Sequence, residues 1–169
     1  MNLFFDIETI PQQPEAEAKK LIAETIEAPS AMKKADTIAD WHSGAGKYAG
    51  AKDAAIEEAY RKTALDGAKG GIISIAWAVG NGETASFSRA INQSESGFIQ
   101  DALILIETHF SINKISANTA YFIGHNIPFD LKFLFHRCVV LGIKPPFKLP
   151  FSGRHKSDYF DNMQAWAGY

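Results

Sequence analysis

The sequence has a single cysteine, Cys138, so no disulfide bond can form within the chain. It has no run of 18 apolar residues, which excludes a membrane-spanning helix on length alone. Its first residues lack the basic and then apolar pattern of a signal peptide. The formal net charge of −2 argues against a strongly cationic packaging protein. Together these absences lead us to expect a cytoplasmic globular protein that does not contact a membrane.

The length of 169 residues and the hydrophobic content of 46% predict one domain over residues 1–169. The first strand ends at Pro11, and a polar, Ala-rich segment, residues 12–69, follows it. We interpret this segment as a helical insertion, with helices over 15–26 and 52–65 and a loop over 35–50 around Trp41. The tryptophans Trp41, Trp77 and Trp166 are expected to be packing residues, and Cys138 a small buried side chain.

The rest of the sequence alternates strand and helix patterns. Gly80-Asn81-Gly82 is a hairpin turn signal between two strands. Further strands and helices follow in order: a helix over 98–110, a strand over 120–124, a helix over 129–141, a strand at 159–160 and a helix beginning at Asn162, capped by Asp161. This order predicts an α/β fold in which an antiparallel hairpin lies beside strands joined through helices, giving a mixed sheet flanked by helices.

The first strand carries two carboxylates. Leu3 to Ile7 is apolar enough to predict a strand buried on both faces, with Asp6 and Glu8 near its end. Side chains two apart on a strand share a face, so these two lie about 7 Å apart. Desolvating two neighbouring carboxylates is costly unless a cation lies between them. A hard divalent cation with oxygen ligands is the simplest candidate.

A second polar cluster, Gly124-His-Asn-Ile-Pro-Phe-Asp130, lies between a predicted strand and a predicted helix. Ligands of open α/β sheets bind at this end of the strands. Asp130, in the first helical turn, would meet free N–H groups and a favourable helix dipole. Taken alone, Asn126 or Asp130 is more often a helix cap than a ligand. The pair of carboxylates on the first strand shifts the balance toward a functional site.

These motifs resemble those of the DEDD-type 3′–5′ exonucleases, which have a ribonuclease H-like fold. Asp6-Ile-Glu8 with Thr9 resembles their first motif, and Asn126-x-x-Phe129-Asp130 resembles their second. The sequence is most similar to predicted bacterial and phage exonucleases related to the proofreading domain of family-B DNA polymerases. That similarity also includes a Trp in the insertion, a Gly-Ile-Ile-Ser-Ile strand and a later Asp-x-Met, which here are Trp41, Gly71 to Ile75 and Asp161 to Met163.

The resemblance implies a site in which carboxylates hold two Mg²⁺ or Mn²⁺ ions and hydrolyse the phosphodiester bond at a 3′ end, releasing a nucleoside 5′-monophosphate. Asp6, Glu8 and Asp130 match three of the four metal ligands. Thr9, His125, Asn126 and Phe129 are the residues expected near the substrate. The implied substrate is single-stranded DNA, and polymerases or other replication and repair proteins are possible partners.

The third motif of this family, Tyr-x-x-x-Asp or His-x-x-x-x-Asp, has no match. No Tyr has an Asp four residues later, and His125 is followed at the right distance only by Asp130, which belongs to the second motif. We therefore expect a domain that is incomplete at its C-terminus, with weak or no activity. Asp161 is a possible substitute ligand, although its family counterpart is structural.

Two alternatives to DNA hydrolysis stay open: a non-catalytic nucleic-acid-binding or scaffold domain, and an oligoribonuclease-type enzyme that degrades RNA. Between Leu131 and Lys156 the chain has six basic residues and no acidic one: Lys132, Arg137, Lys144, Lys148, Arg154 and Lys156. They predict either phosphate contacts or an ordinary solvated surface. Phe147 and Phe151 are similarly either base-stacking or core residues.

Overall fold

The computed structural model describes residues 1–151 and 157–168. Within these residues the chain forms five strands, β1 Asn2–Ile10, β2 Gly71–Val79, β3 Ala85–Ser88, β4 Tyr121–Gly124 and β5 Tyr159–Asp161. It also forms six α-helices, α1 Glu15–Thr25, α2 Ala35–Ser43, α3 Ala51–Lys62, α4 Glu95–Ile112, α5 Ile127–Leu141 and α6 Asn162–Ala167.

The strands form one mixed sheet in the order β3-β2-β1-β4-β5. The neighbours β1 and β2, and β2 and β3, are antiparallel, whereas β4 is parallel to both β1 and β5. The turn at Gly80, which has a φ of 60°, allows β2 and β3 to form a hairpin. The parallel strands are joined through helices. The predicted α/β class is confirmed, and the topology is consistent with a ribonuclease H-like fold.

One face of the sheet forms the hydrophobic core. Helices α4 and α5 contact each other, and they pack against β2 and β1 respectively. The core joins strand residues such as Phe5 and Ile75 with helix residues such as Phe98 and Leu134. Ser94 caps α4 by accepting a hydrogen bond from the Gly97 N–H at 3.1 Å. Cys138 is buried on α5, as predicted, and burial raises the pKa of its thiol to about 11.

The prediction that β1 is buried on both faces is wrong. Leu3, Phe5 and Ile7 are buried, but the alternate side chains are exposed. Phe4 is 42% exposed even though it is a large apolar residue. The reason is that α4 and α5 cover only the face of the sheet that carries Phe5. Asp6 and Glu8 point to the other, open face, together with Phe4.

The segment between β1 and β2 is helical, containing α1, α2 and α3. The loop predicted around Trp41 is wrong, because Trp41 lies on α2 and is buried. Two contacts hold the segment together: the Thr63 hydroxyl accepts the Gln12 N–H at 2.8 Å, and Lys19 pairs with Glu57 at 2.6 Å. That the segment is an insertion into a single domain stays a prediction.

Of the remaining predictions for aromatic residues, some are confirmed and one is wrong. Trp77 is buried on β2, and Phe147 is a core residue. Trp166 on α6 is 94% exposed, so its prediction as a packing residue is wrong. Phe151 stacks on Phe135 with ring centroids 3.5 Å apart. Among the described residues, no helix is both long and apolar enough to cross a membrane.

Candidate functional site

The first two carboxylates lie where β1 continues beyond the end of β4. In the sheet, Asp6 is paired with Ala76 of β2 and Glu8 with Ser74. The pairing of β1 with β4 ends before this point, since its last partners are Phe4 and Ile123. The edge of β1 beyond Phe4 is therefore open to the residues that follow β4. These residues are the second polar cluster and the beginning of α5.

The turn from β4 into α5 passes very close to β1. A Cβ atom on Gly124 would lie 2.7 Å from the Phe5 carbonyl oxygen and 2.9 Å from Ile127 Cδ1, so only glycine fits there. Asn126 then adopts a left-handed conformation, with a φ of 54°, and starts the helix. This close approach brings the first turn of α5, and with it Asp130, against the edge of β1.

Asp130 is the buried member of the site, with only 4% of its surface exposed. Burial raises the pKa of Asp130 to about 7, and the negative charge of Asp6 is the next largest cause. Glu8 acts in the same direction. The backbone N–H groups of Ile7 and of Asp130 itself donate hydrogen bonds to the carboxylate and oppose the rise. The structure thus brings the three predicted carboxylates within electrostatic reach of one another.

These carboxylates are not gathered around a single point. In residues 1–151 and 157–168, no three His, Cys, Asp or Glu side chains are close enough to hold a metal ion. The two findings are compatible because Coulombic repulsion acts over longer distances than metal coordination. Asp6 and Glu8 are exposed, so packed neighbours do not hold their side chains in one rotamer.

The donor set fits a hard divalent cation. Mg²⁺ and Mn²⁺ are bound in proteins chiefly by carboxylate and water oxygens. A buried carboxyl that is held beside two like charges is also the situation that a cation would relieve. Asp6, Glu8 and Asp130 are the residues that could hold such an ion.

His125 and Asn126 are both exposed on the turn before α5. His125 Nδ1 lies 3.1 Å from Asn162 Oδ1, which links the turn to α6. The Asn126 N–H donates to Asp161 Oδ1 at 2.8 Å, while the Asn126 side chain makes no capping hydrogen bond. The backbone of Asn126 therefore braces the turn, and its side chain is available at the surface.

Thr9 and Phe129 have different surroundings. The Thr9 hydroxyl donates to the Ala64 carbonyl at 2.8 Å, so it ties β1 to the end of the helical segment. The Phe129 ring is partly buried against Phe133, with centroids 5.6 Å apart. Whether either residue touches a substrate stays a prediction.

Asp161 has a structural role in this fold. Its Oδ1 accepts the N–H groups of Asn126 and Met163, so it caps α6 as predicted. Because Asp161 pairs with Gly124 across β4 and β5 and is buried, it lies on the core side of the sheet. Its Oδ2 atom is buried with no hydrogen-bond partner in the described part of the chain. Asp6 lies on the opposite, open face.

The basic stretch does not form one surface. Arg137 is buried, and Lys148 pairs with Asp158 at 2.6 Å. Lys132 and Lys144 line two separate grooves. Arg154 and Lys156 lie outside the described residues.

Sequence reasoning missed a buried ion pair between α4 and α5. Arg137 donates from Nε and Nη2 to the two carboxylate oxygens of Glu95, at 3.0 and 2.7 Å. Glu95 also accepts the Ile72 N–H at 2.8 Å, and Arg137 Nη1 reaches the Gly67 carbonyl at 3.3 Å. The two partners are 42 residues apart in the sequence. No local pattern links them; the one available signal is an arginine in the middle of an apolar helix.

The open face of the sheet carries a groove beside the carboxylates. It has a volume of about 260 Å³, and its lining includes Phe4, Asp6, Ile123, His125 and Asn162. The groove brings together two residues predicted at the site, Asp6 and His125. Asp130, at the start of α5, does not line this groove.

No protein-family model and no curated protein matches the sequence. Among solved structures, the fold is similar to the family B DNA polymerase from the hyperthermophilic archaeon Pyrobaculum calidifontis, with a TM-score of 0.40 and 15% sequence identity. The similarity covers 84% of this chain but only 11% of the polymerase chain. A likeness this distant does not assign a function. The case for one must come from the residues of the site.

Proposed function

We propose that the chain is a metal-dependent phosphodiesterase domain of the 3′–5′ exonuclease type, acting on the 3′ ends of single-stranded DNA. The observation that supports this proposal is that Asp6 and Glu8, on the part of β1 that extends beyond β4, lie within electrostatic reach of the buried Asp130. Burial and two neighbouring negative charges raise the pKa of Asp130 to about 7. A fold tolerates such a cluster most readily when a cation completes it.

In this proposal Asp6, Glu8 and Asp130 hold Mg²⁺ or Mn²⁺. When bound, the metal ions would supply positive charge that stabilises the phosphate in the transition state and would make a water molecule more acidic. The chain's own contribution is positioning. The Ile7 N–H fixes the Asp130 carboxylate against β1, while Asp6 and Glu8 stay on the open face.

The turn before α5 supplies the proposed substrate contacts. His125 and Asn126 are exposed there, and His125 borders the groove that contains Asp6. The Thr9 hydroxyl is engaged with Ala64, so we assign the contact at this position to the backbone beside Thr9. Phe129 precedes Asp130 in the first turn of α5, and its ring packs against Phe133.

One observation favours a second function, a nucleic-acid-binding domain without catalysis. In the described part of the chain, the three carboxylates are not gathered into a ready ligand cluster. A binding domain would keep the fold and the exposed turn but would not need the carboxylates to converge. The two functions differ in whether a phosphodiester bond is broken.

The test is degradation of a 20-nucleotide DNA strand labelled at its 5′ end, in Mn²⁺ and in EDTA. Because no residues match the third motif, the proposal predicts slow shortening from the 3′ end, in Mn²⁺ only. Asp6→Asn and Asp130→Asn should each lower the rate by about 10²-fold or more. Asp53→Asn, which changes an exposed carboxylate on α3, is the matched control and should not change the rate.

Two results would contradict the proposal: no shortening by the wild type, or shortening that Asp6→Asn and Asp130→Asn leave unchanged. Metal-independent binding without shortening would establish the binding function instead. An RNA strand of the same sequence, run in parallel, tests the oligoribonuclease alternative directly.

A further inference from the structure

A second groove lies between the segment before β2 and the surface of α5. It has a volume of about 310 Å³, at the lower end of the range for ligand pockets, roughly 300–1,000 Å³. Leu65 and Gly67 form one wall. Phe129, Lys132 and His136, which share one side of α5, form the other.

The walls of this groove are held in place by close packing. A Cβ atom on Gly67 would lie 2.8 Å from the Phe133 carbonyl oxygen and 2.9 Å from His136 Cβ. The backbone at Gly67 therefore touches α5 directly. Arg137 donates to the Gly67 carbonyl, and Glu95 in turn holds Arg137. The groove is formed before any ligand enters it, which lowers the entropic cost of binding.

Both walls are connected to the carboxylate site. On one side, Phe129 immediately precedes Asp130. On the other, the Ala64 carbonyl accepts the Thr9 hydroxyl, which places Leu65 beside the end of the strand that carries Glu8. A chain bound at the carboxylates would reach this groove within a short distance along either wall.

The lining combines exposed apolar surface with the ammonium group of Lys132, which has no ion-pair partner among residues 1–151 and 157–168. Leu65 is 68% exposed and so offers apolar surface to the groove. The Lys132 side chain is exposed on α5. The acidic residue in the lining, Asp66, accepts the Ala68 N–H at 2.9 Å and so faces its own turn. An apolar wall beside an ammonium group is complementary to a nucleobase and its phosphate.

We propose that this groove binds one nucleotide of a single-stranded nucleic acid, with the base against Leu65 and Phe129 and the phosphate at Lys132. The proposal rests on the proposed function and deepens it, because the groove would hold a nucleotide adjacent to the one at the carboxylates. It assigns substrate contacts to a segment outside both sequence motifs, Leu65 to Gly67.

The test is binding of a fluorescent eight-nucleotide thymidine strand, followed by fluorescence anisotropy in EDTA. Leu65→Ser should weaken binding about fivefold, because apolar contact with one base is lost. Lys132→Ala should weaken binding and reduce the slope of log K against log salt concentration by about 0.7, the value for one phosphate contact to a single strand.

Matched controls are available for both changes. Leu21→Ser removes another exposed leucine, on α1, and Lys144→Ala removes a lysine that lines a different groove with Ile104. Neither should change the affinity or the salt dependence. Lys132 and Leu65 are exposed, so their variants should fold, and circular dichroism checks this.

The groove proposal is overturned if the wild type does not bind the strand, or if Leu65→Ser and Lys132→Ala bind as the wild type does. Because this assay contains no metal, its result is independent of the cleavage assay. If the wild type cleaves DNA but the groove variants bind with unchanged affinity, the groove proposal is wrong and the phosphodiesterase proposal stands. If the groove variants bind more weakly but the wild type does not cleave DNA, the groove proposal stands and the phosphodiesterase proposal is wrong.

Discussion

Two acidic residues, each in the first turn of a core helix, have opposite electrostatic surroundings. Glu95, at the beginning of α4, receives two hydrogen bonds from the Arg137 guanidinium and one from the Ile72 N–H. In the described part of the chain, Asp130, at the beginning of α5, is stabilised by the backbone N–H groups of Ile7 and Asp130 and is repelled by the carboxylates of Asp6 and Glu8. Both begin from the same favourable position in a first helical turn. Among residues 1–151 and 157–168, Glu95 has a cationic partner in Arg137, whereas Asp130 has none.

This difference separates a structural acid from a functional one. The ion pair of Glu95 and Arg137 joins α4, α5 and the segment before β2, so contacts within the fold neutralise the charge of Glu95. Asp130 makes no comparable link, and its position beside Asp6 and Glu8 lowers the stability of the folded state when it is ionised. Unrelieved repulsion of this kind is most common where a ligand supplies the missing charge.

The largest predicted effect comes from breaking the ion pair between Glu95 and Arg137. Arg137→Met should leave the partly buried Glu95 without the guanidinium that donates two hydrogen bonds to it, and lower the free energy of unfolding by about 3 kcal/mol. Urea denaturation at pH 7 measures this. The double variant Glu95→Gln with Arg137→Met should recover part of the loss, because no uncompensated charge is then buried. A single variant as stable as the wild type would show that the pair does not hold the helices together.

The next effect concerns the pH dependence of Asp130. Its pKa in the folded protein, about 7, is above its ordinary value of 3.8. The folded state therefore holds the proton more tightly, and stability should fall as pH rises between these two values, by at most about 1.4 kcal/mol per pH unit. Asp130→Asn should remove this part of the dependence in EDTA. Identical pH profiles for the two proteins would contradict the raised pKa.

The smallest predicted effect tests whether Arg89 also stabilises the ion pair of Glu95 and Arg137. Arg89 Nη1 lies 3.9 Å from Glu95 Oε2, beyond hydrogen-bond distance and nearer to solvent than Arg137. Arg89→Gln should cost less than about 1 kcal/mol in the same urea experiment. A loss as large as that of Arg137→Met would mean that both arginines share the charge of Glu95.

The sequence was sufficient to predict the order of strands and helices, because this order depends on local patterns. That Asp6, Glu8 and Asp130 form a metal site stays a prediction. The sequence failed for β1, where the exposed Phe4 hides the alternation of buried and exposed side chains. It failed for α2, since Gly44 and Gly46 after Trp41 resemble a loop. It could not predict the pairing of Arg137 with Glu95, or the approach of Gly67 to α5, because these contacts join distant parts of the chain.

The most direct test of the central claim, that the three carboxylates form a cation site, is calorimetric titration of Mn²⁺ into the protein at pH 6.5, in buffers with different ionisation enthalpies. The pKa of Asp130, about 7, means that its carboxyl is largely protonated at this pH and must lose the proton to bind a metal. We predict Mn²⁺ binding with proton release, and loss of that release in Asp130→Asn. Absence of binding, or binding without a released proton, would contradict the account.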